Sequence, residues 1–285
     1  MTPDEMLARL LYRDGLMLVV DKPPGIPVHR GPKGGNAFED HFDALRFGLP
    51  RRPALAHRLD RDTSGCLVLG RHRKALAALG KLFKQGKVGK TYWAVVEGGP
   101  AEDDGTIDIA LAKRDDSRGW WMKPDDNGLP SRTTWKVMGR FSSSSRATEP
   151  EARSRASSTR YGEGGPGPIA SAPVASETSA VMGPRLRGDD KSLTWLALEP
   201  VTGRTHQLRV HCAAMGWPIV GDNIYGTAPR NSDSLGGPIL HLLSREVVVP
   251  LSKNKDAVKV TAPVPPYMRE RLALCGWQES QSTSS

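Results

Sequence analysis

One long segment without apolar periodicity constrains the fold of this 285-residue chain more than any other feature. Residues 142–191 are rich in Ser, Arg, Gly, Pro and Ala, and they lack the apolar periods of strands and helices. A structureless loop of this length is rare inside a compact domain, so we predict a disordered insertion. It separates two strand patterns, at residues 135–138 and 193–198, which we expect to pair as a hairpin. Residues 1–285 then form a single domain that closes across the insertion.

The other apolar segments alternate irregularly between strand and helix patterns. Buried strands are predicted at residues 16–20, 66–70 and 91–96. Amphipathic spacing predicts helices over residues 73–85 and 204–215. This order favours an α+β fold over a regular βαβ repeat.

Nothing in the sequence indicates a membrane span, export or a disulfide framework. The longest apolar runs, at residues 16–20 and 247–251, are far shorter than the ~18 residues of a membrane helix. The N-terminal Met-Thr-Pro-Asp-Glu is acidic where a signal peptide is basic, so we expect a cytoplasmic protein. Cys66, Cys212 and Cys275 are isolated and odd in number, which is typical of small buried side chains.

Positive charge is concentrated in one segment. The chain carries a formal net charge of +9 at pH 7. Residues 51–90 contain eleven Lys and Arg but only two acidic residues, Asp60 and Asp62, so this segment alone accounts for the +9. Such a cluster is expected of a surface that neutralises phosphates, although a solvated helix face is the simpler structural explanation.

The same segment contains the most unusual motif of the chain, His-Arg-Leu-Asp-Arg-Asp-Thr-Ser-Gly at residues 57–65, directly before a predicted strand. Taken alone, this motif has several interpretations. Asp60 and Asp62 suggest a carboxylate pair, His57 with Asp60 suggests half of a nucleophile triad, and residues 62–65 suggest a turn. An ion pair between Asp60 and a local arginine is the simplest interpretation of the spacing.

The motif resembles the active-site signature of the RluA family of RNA pseudouridine synthases, in which His-Arg-Leu-Asp is followed by Thr-Ser-Gly. Further blocks are similar to that family in the same order and cover nearly all of the chain outside the insertion. They are residues 19–29, 90–98, 200–211, 216–222 with Tyr225, Leu240 with His241, and residues 262–266. Ordered agreement over many blocks is far more specific than one short motif.

The resemblance implies that uridine in RNA is isomerised to pseudouridine without a cofactor or a metal. The glycosidic bond is cut, the uracil turns, and C5 is joined to C1′. Asp60 matches the catalytic aspartate, which either attacks C1′ or deprotonates C2′. Arg209 matches the arginine that pairs with this aspartate, and Tyr92 matches a tyrosine that stacks on the base and helps to remove the C5 proton.

A stacked uridine must be flipped out of the RNA before its C1′ and C5 can be reached. By resemblance Arg58 fills the space that the base leaves, and Leu240 packs on the target uracil. The matching motif blocks place the remaining predicted RNA-contacting residues beside them: His57, Arg61, Thr63, Arg204 and His206. The spacing of His206 and His211 does not suggest a metal site.

We therefore predict a monomeric enzyme with the α+β catalytic fold of pseudouridine synthases. Its mixed, mostly antiparallel sheet is expected to carry a central cleft, flanked by helices and loops, that contains Asp60, Tyr92 and Arg209. The first strand begins early, so we expect a short form without an N-terminal S4 module, acting on a tRNA or rRNA stem-loop. Three alternatives remain open: a catalytically inactive RNA-binding protein on the same fold, a carboxylate-dependent hydrolase or glycosidase, and a role of residues 142–191 as a basic RNA-binding arm.

Overall fold

The computed structural model describes residues 1–31, 34–114, 121–142, 192–228, 238–251 and 256–279. Within these ranges the strands are Leu10–Arg13 (β1), Met17–Lys22 (β2), Ala54–Leu55 (β3), Ser64–Gly70 (β4), Gly89–Glu97 (β5), Asp104–Asp108 (β6), Leu111–Lys113 (β7), Met122–Pro124 (β8), Arg132–Ser142 (β9), Ser192–Pro200 (β10), Leu242–Val249 (β11) and Val258–Thr261 (β12). The helices are Pro3–Leu7 (α1), Arg73–Lys84 (α2), Gln207–Ala214 (α3), Pro266–Leu274 (α4) and a 3₁₀ helix at Phe38–Leu45.

Ten of these strands form one sheet in the order β1-β2-β4-β11-β5-β10-β9-β6, with β3 beside β4 and β12 beside β11. The β4–β11 pair is parallel, and the other pairs of the described sheet are antiparallel. Strands β7 and β8 form a separate antiparallel pair. The predicted mixed, mostly antiparallel sheet is confirmed.

Both faces of the sheet are buried. On one face, Leu18, Leu67 and Leu196 belong to a core that includes Phe38 and Phe42 of the 3₁₀ helix. On the other face, alternate strand residues pack with Leu79 of α2 and Met268 of α4. Burial on both faces explains why the central strands are apolar in sequence without alternation.

The junction between β4 and β11 depends on a glycine. Gly65 pairs with Ser244 and has a φ of +100°, in the region that favours glycine. A Cβ at this position would overlap the carbonyl oxygen of Ser244. The Thr-Ser-Gly end of the 57–65 motif therefore allows two strands to meet closely, directly beyond the loop that carries Asp60.

Most of the predicted elements agree with the structure. The strands expected at residues 16–20, 66–70 and 91–96 correspond to β2, β4 and β5, and the helix expected over residues 73–85 is α2. The predicted helix 204–215 is shorter, because α3 begins at Gln207 and residues 204–206 form its approach. Several other elements, among them α1, β1, β6, α4 and the 3₁₀ helix, were not predicted.

The predicted hairpin across residues 142–191 is confirmed at its base. Strands β9 and β10 are antiparallel partners, and Ser142 faces Ser192 at the end of the ladder. Residues 143–191 lie outside the described residues, so the disordered insertion stays a prediction.

Two further expectations concern the described part of the chain. Cys66, Cys212 and Cys275 are buried and carry free thiols, as predicted. No helix within the described ranges is long and apolar enough to cross a membrane.

Candidate active site

A cavity of about 770 Å³ opens on the sheet face of Tyr92, between the loop that carries Asp60 and the approach to α3. Its size is in the range of small-molecule sites, roughly 300–1,000 Å³. It brings together eight of the ten residues predicted from the sequence: His57, Arg58, Asp60, Thr63, Tyr92, Arg204, His206 and Arg209. Segments far apart in sequence thus meet in one site.

The loop that carries Asp60 is held from below by a buried lysine. Lys22, at the end of β2, is fully buried, and its ammonium donates to the carbonyl oxygens of Arg61 at 2.7 Å, Thr63 at 2.9 Å and Pro23 at 2.9 Å. Burial lowers the pKa of Lys22 to about 7, and the charges of Asp62 and Asp60 act in the opposite direction. Lys22 therefore fixes the backbone immediately after Asp60, a role that the sequence analysis did not identify.

Asp60 itself presents a partly exposed carboxylate to the cavity. Its side chain is 28% exposed, and its Oδ2 lies 4.0 Å from Nε2 of His206. That distance is too long for a hydrogen bond but short enough for a strong electrostatic effect. Asp60 therefore remains available to a substrate.

His206 is held in an unusual conformation by Tyr225. It precedes α3 with a φ of +53°, which is uncommon for a residue with a side chain. Its Nδ1 lies 2.9 Å from the Tyr225 hydroxyl, which also accepts a hydrogen bond from the Met122 amide. The direction of this hydrogen bond depends on the tautomer of the neutral His206 ring, whose Nε2 faces Asp60. Burial lowers the pKa of His206, with the charge of Asp60 opposing, which favours this neutral form.

Arg209 has a different hydrogen-bonding partner from the one expected. Its Nε and NH2 donate to the two carboxylate oxygens of Asp222 at 2.8 and 2.7 Å, and both side chains are almost completely buried. The predicted pairing of Arg209 with Asp60 is therefore wrong for this structure. The physical reason is burial, since a guanidinium inside the protein requires an equally buried counter-charge.

The charge of Asp60 still acts on Arg209, although it comes second to Asp222. Burial tends to lower the pKa of Arg209, but the hydrogen bonds and charge of Asp222 outweigh it, and Asp60 adds to the increase. Burial tends to raise the pKa of Asp222, but the hydrogen bonds and charge of Arg209, and after them the amides of Ile224 and Tyr225, keep it low. The carboxylate of Asp60 thus lies near a positive charge without being neutralised by a direct bond.

Tyr92 lies in the floor of the cavity with 8% of its surface exposed. Burial raises the pKa of its phenol well above the usual range, a hydrogen bond with Ser244 opposes this effect, and the charge of Asp60 adds to it. The ring is therefore a protonated phenol at neutral pH, suited to stacking and to hydrogen bonding.

His57 and Arg58 are adjacent in sequence but have different environments. The ring of His57 stacks on Phe83 with centroids 4.5 Å apart, and its Nε2 accepts a hydrogen bond from the Val68 amide at 3.0 Å. Burial lowers the pKa of His57 to about 3, with the positive charge of Lys90 adding to the effect, so the ring is uncharged at neutral pH. Arg58 is exposed, and among the described residues its side chain has no hydrogen-bond or ion-pair partner.

Two predicted site residues do not line this cavity. Arg61 and Leu240 lie instead at a neighbouring cavity of about 230 Å³, with Asp62 and Gly221. The Nε of Arg61 donates to Asp62. Leu242, two positions after Leu240 and in the same core cluster, is among the apolar residues that line the main cavity.

A buried glutamine orders the approach to α3. Oε1 of Gln207 accepts from the hydroxyl of Thr202 and the amide of Arg204, while its Nε2 donates to the Arg132 carbonyl and the Thr133 hydroxyl. This network fixes the segment that carries Arg204 and His206. The sequence analysis missed Gln207, Asp222 and Tyr225 as positioning residues, although all three lie in the motif blocks.

The described residues contain no group of three or more His, Cys, Asp or Glu placed to hold a metal ion. His211, the second histidine of the block at 200–211, is buried and lies within hydrogen-bond distance of Ser131, Thr133 and the Ile109 carbonyl. Its nitrogens are therefore occupied by the protein itself.

A family model described as RNA pseudouridylate synthase matches residues 16–214. The chain belongs to this family. An uncharacterized RNA pseudouridine synthase of Zymomonas mobilis is 32% identical over 259 residues, which cover 90% of this chain and 94% of that protein. The ribosomal large subunit pseudouridine synthase C of Buchnera aphidicola is 28% identical over 260 residues, covering 89% of this chain and 67% of that protein.

A solved structure extends this likeness to the fold of the pseudouridylate synthase family. Human RNA Pseudouridylate Synthase Domain Containing 4 superposes with a TM-score of 0.66 at 22% identity, covering 98% of this chain and 97% of the human chain. These matches confirm the predicted resemblance and the predicted fold class. They also confirm the enzyme class: the protein is an isomerase of the RNA pseudouridine synthase type.

Proposed function

We propose that this pseudouridine synthase isomerises a uridine in a stem-loop of tRNA or rRNA, with Asp60 as the residue that acts on the sugar. The observation that carries the proposal is the partly exposed carboxylate of Asp60 in a cavity whose buried arginine, Arg209, is already bonded to Asp222. Asp60 thus lies close to positive charge, and its carboxylate has no hydrogen-bond partner among the described residues.

A carboxylate in this position suits the chemistry at the ribose. Asp60 either attacks C1′ or takes the proton from C2′, and in both cases its negative charge offsets the positive charge that develops on the sugar. The C1′–N1 bond breaks, the uracil turns, and the C1′–C5 bond forms. The hydrogen of C5 is released, and N1 gains a proton.

Tyr92 and Leu242 support the turning base in this proposal. The phenol ring offers a flat surface for stacking, and Leu242 adds an apolar contact beside it. The raised pKa of Tyr92 argues against a phenolate base, so we assign it the stacking role and a hydrogen-bonding hydroxyl.

Arg58 is the residue proposed to replace the flipped base. It is exposed at the cavity and has no competing partner in the described part of the chain. A planar guanidinium can stack in the gap of the RNA and also form hydrogen bonds there. Unstacking the base requires a few kcal/mol, which such contacts would offset.

The choice of a structured RNA as substrate is supported by two features. Positive charge is concentrated in residues 51–90, which supply α2 and the loop of Asp60. The relative from Buchnera aphidicola is named for the ribosomal large subunit. We also propose that the protein acts as a monomer in the cytoplasm. Light scattering tests the oligomeric state, and cell fractionation tests the location.

The test uses RNA labelled with tritium at C5 of uracil, because isomerisation releases this hydrogen to water. We expect wild-type protein to release tritium from total tRNA or rRNA transcripts, Asp60→Asn to release none, and Asp62→Asn to retain most of the activity. Asp62 is the matched control because it has the same charge but lies outside the main cavity. Release by Asp60→Asn would overturn the assignment.

The same assay separates the alternative functions. An inactive RNA-binding protein would bind the RNA without releasing tritium, and a hydrolase or glycosidase would liberate free uracil or RNA fragments. Mapping pseudouridines in total RNA with and without the gene then identifies the target uridine.

A further inference from the structure

Lys90 is a half-buried cation without a partner at the edge of the active-site cavity. It lies in β5 two residues before Tyr92, so the two side chains share one face of the strand. Within the described part of the chain its ammonium forms neither a hydrogen bond nor an ion pair. Burial is the cause of its lowered pKa, and no carboxylate compensates.

No carboxylate in the described part of the chain forms an ion pair with Lys90. The cavity wall here consists of the uncharged His57 ring on Phe83, the end of α2 with Lys84, and the backbone at Pro200. The nearest carboxylate in β10, Glu199, accepts from the hydroxyl of Thr91, which lies on the opposite face of β5. The one carboxylate in the described lining of this cavity, Asp60, forms no ion pair with Lys90, so the ammonium is open to an anionic ligand.

We propose that Lys90 is a phosphodiester-binding subsite, which holds a backbone phosphate next to the flipped uridine. The proposal rests on the proposed function in that the bound anion belongs to the RNA substrate. Lysine is a strongly hydrated point charge, and such a group suits a phosphate that approaches from a variable direction. Arg58 fills the gap of the base, and Lys90 anchors the strand on the β5 side of the cavity.

The proposal predicts opposite effects on folding and on binding. A partly buried charge without a partner destabilises the fold, so Lys90→Met, which keeps the apolar stem, is expected to leave the Tm unchanged or raised. The same change removes one phosphate contact from the complex. A purely structural lysine would give the reverse pattern, with a lower Tm and unchanged RNA binding.

The experiment measures the affinity for a fluorescent hairpin RNA, carrying the mapped uridine, between 50 and 200 mM salt. The slope of log K against log salt reports how many phosphates the protein neutralises. It is determined for wild-type protein, Lys90→Met, Lys90→Arg and Lys87→Met. We expect Lys90→Met to reduce the slope by about 1, so that its affinity defect shrinks roughly three- to fourfold across this range. Lys90→Arg is expected to restore the slope. Lys87→Met is the matched control, because Lys87 is exposed, belongs to the same segment and does not line the cavity.

A slope for Lys90→Met equal to that of wild type, or a loss no larger than that of Lys87→Met, overturns the proposal whatever the Tm. If Lys90→Met fails to fold, Lys90→Gln and Lys90→Arg provide the same comparison, and a slope restored by Arg but not by Gln supports the subsite. The fluorescence signal reports formation of the complex, whether or not the uridine is isomerised. Failure of wild-type protein to release tritium would therefore refute the proposed function separately from this result.

Discussion

Arg209 and Asp222 form a bidentate ion pair that is almost completely inaccessible to solvent, with N–O distances of 2.8 and 2.7 Å. The pair joins α3 to the turn at residues 221–225, and Arg209 lines the cavity that contains Asp60. Arg209 is thus oriented by Asp222, and Asp60, the proposed catalytic residue, does not have to serve as its structural partner.

Asp222→Asn is expected to destabilise the protein by about 3–5 kcal/mol, because it leaves a buried guanidinium without its counter-charge. Urea denaturation followed by circular dichroism measures the change. Asp108→Asn is the control, since the pair of Asp108 with Arg132 is exposed on both sides and is worth less than about 1 kcal/mol. Equal effects of the two substitutions would show that the buried pair contributes no more than a surface one.

Lys22→Met is expected to reduce kcat much more than it changes KM. The substitution preserves the approximate volume but removes the donor of the Arg61 and Thr63 carbonyls, so the loop that carries Asp60 loses its anchor. Tritium release under saturating and subsaturating RNA separates the two parameters. Lys74→Met, at an exposed position of α2, should have no such effect, and an unchanged kcat for Lys22→Met would contradict the anchoring role.

His57→Gln is expected to reduce the dependence of stability on pH in weak acid. The folded-state pKa of His57 is about 3 and its ordinary value is 6.5, so between these values the unfolded chain binds more protons. The contribution of His57 is therefore fully present above pH 6.5 and is lost as the pH falls toward 3. Gln retains an acceptor for the Val68 amide but does not titrate. Thermal melts from pH 4 to pH 8 should show a shallower acid decline for the variant, and parallel curves would contradict the assignment.

Removal of residues 143–191 is expected to leave the fold and the activity largely intact. Ser142 and Ser192 are directly opposed in the ladder, so an Asn-Gly pair inserted between them can form a tight hairpin turn. The Tm and tritium release of this variant are compared with those of wild type. Loss of folding or of RNA binding would contradict the predicted disordered insertion.

Strand patterns were sufficient to predict the sheet strands β2, β4 and β5, and the resemblance of the motif blocks to the family predicted that Asp60, Tyr92 and Arg209 meet in one cavity. The partner of Arg209 was not predictable in the same way. Asp222 lies thirteen residues later, beyond a turn, and which of two carboxylates a guanidinium bonds depends on burial, which only the fold determines.

The presence of Leu242 rather than Leu240 at the main cavity was also not predictable from the sequence. Alternate positions of an extended segment point to the same face, so the sequence pattern admits either residue, and the start of β11 decides which one reaches the cavity. The short elements α1 and β1 were missed because four or five residues carry too little periodicity to be distinguished from a loop.

The two ends of the β9–β10 hairpin have different surroundings: one lies at the cavity, and the other adjoins the predicted insertion. At one end Pro200 lines the cavity, and at the other Ser192 faces Ser142, eight strand positions away or about 26 Å. A fluorophore, an affinity tag or a tethering domain attached at the Ser142–Ser192 end would lie at the end of the strand pair that is far from the cavity. The Ser142–Ser192 end is therefore a position at which this enzyme can be labelled or immobilised during catalysis.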